Sequence, residues 1–189
     1  MARIHFSYTG TGGGRRHSVN AADVQVLLSR IPEEIWASLR AVHFNDRGIG
    51  CRVLGYVNRG RREIAICALP PRVSLARFLV RRSPQEFGAL RGRQWPELAV
   101  RRFMLYEVFL HELGHLQAVD PKARRPQRRF AGETKAQEFA NFWRRKLWSS
   151  TFDHPDPVHN PPSSDEHDRI ESDASTGTVS VSGVMNSCD

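Results

Sequence analysis

Residues 98–116 read Leu-Ala-Val-Arg-Arg-Phe-Met-Leu-Tyr-Glu-Val-Phe-Leu-His-Glu-Leu-Gly-His-Leu. The end of this run, His111-Glu112-Leu113-Gly114-His115, decides how the rest of the chain is read. On a helix, residues four apart lie almost one above the other. His111 and His115 therefore share a face, where two imidazoles can grip one metal ion. Glu112 is one residue round from that face, so its carboxylate can reach a water at the metal without being a ligand. The alternative for such a helix is two histidines satisfied by neighbouring carbonyls. Against it, Phe103, Met104, Leu105, Val108, Phe109, Leu110 and Leu113 make the stretch apolar almost all round, as in a buried helix. Two imidazoles and a carboxylate inside a core need partners, and a metal supplies them. The ligand types favour zinc.

A catalytic zinc takes three protein ligands and keeps one position open for water. The missing ligand is sought at the start of a second helix, predicted over 133–148, which opens Glu133-Thr134-Lys135-Ala136-Gln137-Glu138-Phe139-Ala140. The apolar stripe of that helix is Ala136, Phe139, Ala140, Trp143 and Leu147. With about 100° between successive residues, its mean direction lies about 50° from Glu133 and about 170° from Glu138. Glu133 thus looks toward the core and Glu138 toward water, which makes Glu133 the third ligand. Gln137, one turn on, is placed to orient a ligand by a hydrogen bond. The expected roles are His111, His115 and Glu133 as holders of Zn²⁺ and Glu112 as the catalytic acid and base. Tyr56, Tyr106 and His43 are candidates for stabilising an oxyanion. A purely structural zinc site would need a fourth ligand; His154 and His159, folded back from the tail, are the nearest candidates.

His-Glu-Leu-Gly-His at 111–115, followed by Glu133, Ala136, Phe139 and Ala140, resembles the compact glutamate-zincins. Within them it is most similar to the ImmA/IrrE-type metallopeptidases. The resemblance implies an α+β, zincin-like (minigluzincin) single domain. Its short twisted sheet of three or four strands would pack on the His111–His115 helix, with the glutamate helix after it. It also implies a zinc-dependent endopeptidase that cleaves a protein substrate, such as a DNA-binding repressor or other regulatory protein. The chain departs from the family pattern at Gln137, where members often carry Asn or Asp. The alternative is a nucleic-acid-associated or protein-interaction module with the same fold and little or no peptidase activity.

Around this centre the chain divides into three. Residues 1–19 hold Gly10 and Gly12-Gly13-Gly14 with no strand-to-helix pattern behind them, and read as a flexible arm rather than a phosphate loop. Residues 20–152 form the domain. Asn20 caps a helix to about Arg30, and Pro32 opens a short one to Leu39. Strands are expected at 41–45, 51–57 and 63–69, the last two joined by a hairpin loop at Asn58-Arg59-Gly60-Arg61. Short helices are expected at about 73–82 and 84–90, and the long one from about 96 to 118. An Arg- and Pro-rich loop over 121–129 leads to the glutamate helix. From 153 to 189 the composition turns to Pro, Ser, Asp and His with few large apolar residues, which predicts a disordered acidic tail.

The 189 residues carry a net charge of +8, and the charge is uneven. From 153 onward eight acids face one base, a balance of −7, so the first 152 residues hold 27 bases and 12 acids, or +15. Such an excess suggests a body that meets something acidic, nucleic acid or a protein bound to it. Arg15, Arg16 and the arginines of 124–129 would carry that contact. The sequence has no apolar run long enough to cross a membrane and no signal-peptide core at its start. Its three cysteines give no disulfide framework. A cytoplasmic protein is the simplest expectation.

Overall fold

In the computed structural model, residues 3–48, 53–72, 75, 83–117, 126–150 and 152–176 are described. Strand β1 (His5–Tyr8) is followed by helix α1 (Ala21–Ser29) and the single turn α2 (Glu33–Trp36). Asn20 caps α1: its Oδ1 accepts from Asp23 N at 3.1 Å, and Asp23 Oδ2 accepts from Asn20 N at 3.0 Å. This reciprocal pair satisfies two donors that a helix start leaves free. Strands β2 (Ala41–Asn45), β3 (Gly55–Asn58) and β4 (Glu63–Cys67) then complete a four-stranded sheet of order β1-β2-β4-β3. β1, β2 and β4 run parallel, and β3 lies antiparallel to β4 at one edge. The molecule is an α+β domain.

The two-residue period of the strands decides what each sheet face does. Val42, Phe44, Ile64 and Ile66 are fully or almost fully buried on the inner face. Each such side chain contributes about 1.5–3 kcal/mol through burial, so packing rather than turn chemistry fixes the register. His43, Asn45, Tyr56 and Glu63 alternate with them onto the outer face. The strand expected at 63–69 ends at Cys67, and that expected at 51–57 is found as Gly55–Asn58, with residues 51 and 52 outside the described residues.

β1 corrects the reading of 1–19 as a flexible arm. His5–Tyr8 pairs along β2, and Arg16 bridges to Leu69 through two backbone hydrogen bonds of 2.9 Å. Arg15 is bound to Asp46 and to the Ala68 carbonyl, and Gly12 N donates to Asp46 Oδ2 at 3.0 Å. Gly13 and Gly14, at φ 60° and 70°, give the chain the left-handed turn that brings Arg15 round. The glycines thus serve a turn between two anchored segments.

The long helix runs as α3 (Glu97–Phe103), a π-helical stretch (Met104–Phe109) and α4 (Leu110–Gln117). An uninterrupted α-helix was expected; the π stretch is buried throughout. α5 (Pro126–Trp148) starts earlier than the expected Glu133, with Pro126 at its first position, where a missing N–H costs nothing. The expected helix at 73–82 and the loop at 121–125 lie outside the described residues, apart from Leu75. The expected helix at 84–90 is one 3₁₀ turn, Pro84–Phe87, ended by Gly88 at φ 84°.

The acidic tail also differs from expectation. Residues 152–176 fold onto the body, with a 3₁₀ turn at Pro157–His159 and α6 (Ser164–Thr176). Val158 and His159 are buried. The buried Arg102 gives two hydrogen bonds to Glu166, at 2.6 and 3.0 Å, and two to the Pro157 carbonyl. Arg101 pairs with Asp156 at 2.8 Å and Asp23 at 3.1 Å. Disorder was expected because the tail has few apolar residues; the buried Arg102 and the half-buried Arg101 of the body supply what apolar burial does not. Residues 177–189 lie outside the described residues. Among the described residues no helix is long and apolar enough to cross a membrane.

Candidate metal centre

α4 presents His111 and His115 on one face, as the four-residue spacing requires, and α5 packs against it. Gly114 permits the approach: a Cβ there would stand 2.9 Å from Ala136 Cα and 3.1 Å from Phe139 Cβ. Glu133 is thereby carried to the histidine pair. Its Oε2 is 3.2 Å from His111 Nε2 and 3.4 Å from His115 Nε2. Ligand atoms about 2.0–2.1 Å from one tetrahedral metal stand about 3.4 Å apart. The three donor atoms all lie within 4.8 Å of one another. Two imidazole nitrogens and a carboxylate oxygen at this spacing fit a small divalent cation. The side chain of Glu133 is 62% exposed and that of His115 only 7%, so the group opens to solvent on the Glu133 side.

Electrostatics suit that use. Burial, with His111 and Arg59 adding to it, holds the His115 imidazolium below the usual histidine range, against the pull of Glu133. A neutral imidazole is the form that ligates. Glu112 is buried beside the pair. Desolvation first, and then the Glu133 carboxylate, push its carboxyl up to about 8, with Arg59 opposing. The edge strand presses close to it: a Cβ on Gly55 would meet Val108 Cγ1 at 2.8 Å and Glu112 Cγ at 3.3 Å.

His111, His115 and Glu133 thus come together as expected, with Glu112 alongside. Gln137 does not take the role expected of it. Its Nε2 donates to Glu107 Oε1 at 3.0 Å and to Asn141 Oδ1 at 3.5 Å. Glu107 lies one helical turn before His111 and also accepts from Arg144 at 2.6 Å. Gln137 therefore ties α5 to the long helix beneath the site. The oxyanion candidates are elsewhere. Tyr106 is buried against the tail, where its hydroxyl meets His159 Nδ1 at 3.2 Å, and burial pushes it up to about 12. Tyr56 accepts from Asn45 Nδ2 at 2.9 Å, and His43 pairs with Ser7 at 2.6 Å, both on the outer sheet face. His154 and His159 pack on each other within the tail, ring centroids 4.6 Å apart.

Sequence reasoning missed Arg59. From the β3–β4 turn its Nη2 reaches His115 Nδ1 at 3.1 Å. The turn itself was legible in Asn58-Arg59-Gly60-Arg61, but the reach of a long side chain from a turn was not. Set beside known protein families, curated proteins and solved structures, the chain matches none of them.

Proposed function

We propose that this chain is a zinc-dependent endopeptidase with a zincin-like domain of the ImmA/IrrE kind. The observation that carries the reading is the meeting of His111, His115 and Glu133, with the glutamate oxygen at tetrahedral-edge distance from both imidazoles and the buried carboxyl of Glu112 beside them. His111, His115 and Glu133 would hold the metal. A zinc ion bound there would polarise a scissile carbonyl and ease deprotonation of water. Glu112 takes the proton from the attacking water and returns it to the leaving amine. A carboxylate held beside the ligand pair without being a ligand can serve both transfers.

An extended peptide suits the surroundings. β3 is one of the two edge strands of the sheet, pairs on one side with β4, and lies against Glu112 through Gly55. A substrate strand added along its other side would pass over the site with its backbone hydrogen-bonded. The proposed substrate is a protein, and a repressor bound to DNA suits the excess of bases in residues 1–152. The proposed place of action is the cytoplasm.

Metal content of the purified protein and cleavage of unfolded protein substrates test this together. One zinc per chain is expected, lost in His111→Ala. Glu112→Gln should keep the zinc and lose cleavage by about 10²–10⁴-fold, the usual contribution of a positioned acid–base. Full cleavage by Glu112→Gln would remove Glu112 from the mechanism, and a wild-type chain that takes up no zinc would remove the centre.

A further inference from the structure

Arg59 stands where the hairpin meets the ligand helices. Its turn is fixed by Asn58 Oδ1, which accepts from Arg61 N at 3.2 Å, and by Arg62 in the left-handed region at φ 61°. From that turn Nη2 reaches His115 Nδ1 at 3.1 Å. The same nitrogen comes within 3.9 Å of where a Cβ would stand on Gly132, the residue before Glu133. One guanidinium thus touches one proposed ligand and borders the helix that carries another.

A guanidinium has five N–H donors and no acceptor. In its contact with Arg59, His115 Nδ1 must accept, so the ring hydrogen sits on Nε2. Nε2 is the nitrogen that faces Glu133 Oε2. A histidine that ligates through Nε2 carries its hydrogen on Nδ1 and gives it to a carboxylate, a carbonyl or water. With a metal on Nε2, the Nδ1–H and the Arg59 N–H would point at each other. The guanidinium and the dication would also repel across one imidazole ring. Arg59 in this place and a metal on His115 therefore exclude each other.

We infer that Arg59 competes with the metal for His115 and so sets the free-metal concentration at which the centre loads. Arg59 is exposed, so no buried group has to move for the guanidinium to withdraw. The inference rests on the metal reading above and adds an opponent built into the hairpin. It makes the centre weaker and more exchangeable than its three ligands alone would be.

The test is zinc affinity of the full chain, read by competition with a chromophoric chelator rather than by activity. Arg59→Gln removes the charge and offers an acceptor to Nδ1–H, and should bind zinc at least about tenfold more tightly, the lower end of what a ligand's hydrogen-bond partner is worth. Arg59→Met removes the charge alone and should tighten binding by less. Nitrogen NMR of the His115 ring gives a second, independent reading. Hydrogen is expected on Nε2 in the metal-free wild type and on Nδ1 after one equivalent of zinc. Equal or weaker zinc binding in both variants, or hydrogen already on Nδ1 in the metal-free wild type, would overturn the inference. If the wild type binds zinc and the variants bind no tighter, only the role of Arg59 falls. If no form binds zinc, the centre falls with it.

Discussion

At Glu133 two tendencies compete. Its side chain is largely exposed, so water is always on hand to solvate the carboxylate, yet it lies against two imidazole nitrogens. An exposed acid that buried no surface and held no ligand would be dispensable. Glu133→Ala is therefore expected to leave the melting temperature of the metal-free chain nearly unchanged, as surface substitutions do. It should weaken zinc binding by more than the roughly 10–100-fold that a lost supporting partner costs. Thermal melts and chelator competition separate the two, and a lost melting temperature with unchanged zinc binding would make Glu133 structural. The histidine pair and Glu112 were legible because helix geometry over four residues is local. Helix phase picked Glu133 over Glu138, although it aimed Glu133 at the core and the structure leaves it at the open mouth. Arg59 and the true partners of Gln137 were not legible, because tertiary packing chooses which side chain a long polar group meets.

Among the elements, the contact between α4 and α5 decides whether three ligands exist or only two. Gly114 sets that contact, since a Cβ would stand 2.9 Å from Ala136 Cα and 3.0 Å from its carbonyl oxygen. These are backbone atoms of a helix and cannot swing aside. Gly114→Ala should force the helices apart, which moves Glu133 away from a histidine pair that stays put on α4. The expected result is a loss of about 1–3 kcal/mol of stability, typical of overpacking, together with weaker zinc binding. Circular dichroism and zinc titration check it, and a variant with wild-type values for both would show that the helices yield freely. Alanine would otherwise favour a helix over glycine, so destabilisation here has to come from the crowding. α1, the His111–His115 helix, the glutamate helix and the hairpin could be read from their periods, whereas α6 could not. β1 could not, because four residues beside a glycine-rich stretch show little pattern until β2 offers an edge to pair with.

At the scale of the whole molecule, the tail is a strap across the body. Arg102 is buried, and Glu166 is its bidentate partner. Removing one partner from a buried pair leaves an uncompensated charge, which costs about 3–5 kcal/mol. Glu166→Ala should therefore destabilise the whole domain by a few kcal/mol in denaturant titrations. A tail that merely solubilised the chain would give no change.

The same strap carries a titration remote from the metal centre. His159, on the tail's 3₁₀ turn, is buried against the body with its Nδ1 against the Tyr106 hydroxyl. Desolvation first, and then the nearby charges of His154, Arg30 and Arg101, bring it down to about 4, with Asp156 opposing. Between the ordinary histidine value near 6.5 and about 4, the unfolded chain binds a proton that the folded chain refuses. Stability contributed by this group is present above about pH 6.5 and is lost as the pH falls toward about 4. Asp156, which the Arg101 hydrogen bond and the Val158 amide hold below the usual carboxylate range against desolvation, loses its share only at lower pH. The two windows are thus distinct. His159→Asn can still accept from the Tyr106 hydroxyl but does not titrate, so the wild type should lose stability relative to this variant as the pH falls from 6.5 to about 4.5, whatever the other groups contribute to both. Unfolding free energies across that range decide the matter. Parallel curves for the two proteins would mean that His159 is solvated and that the strap does not hold it against the body.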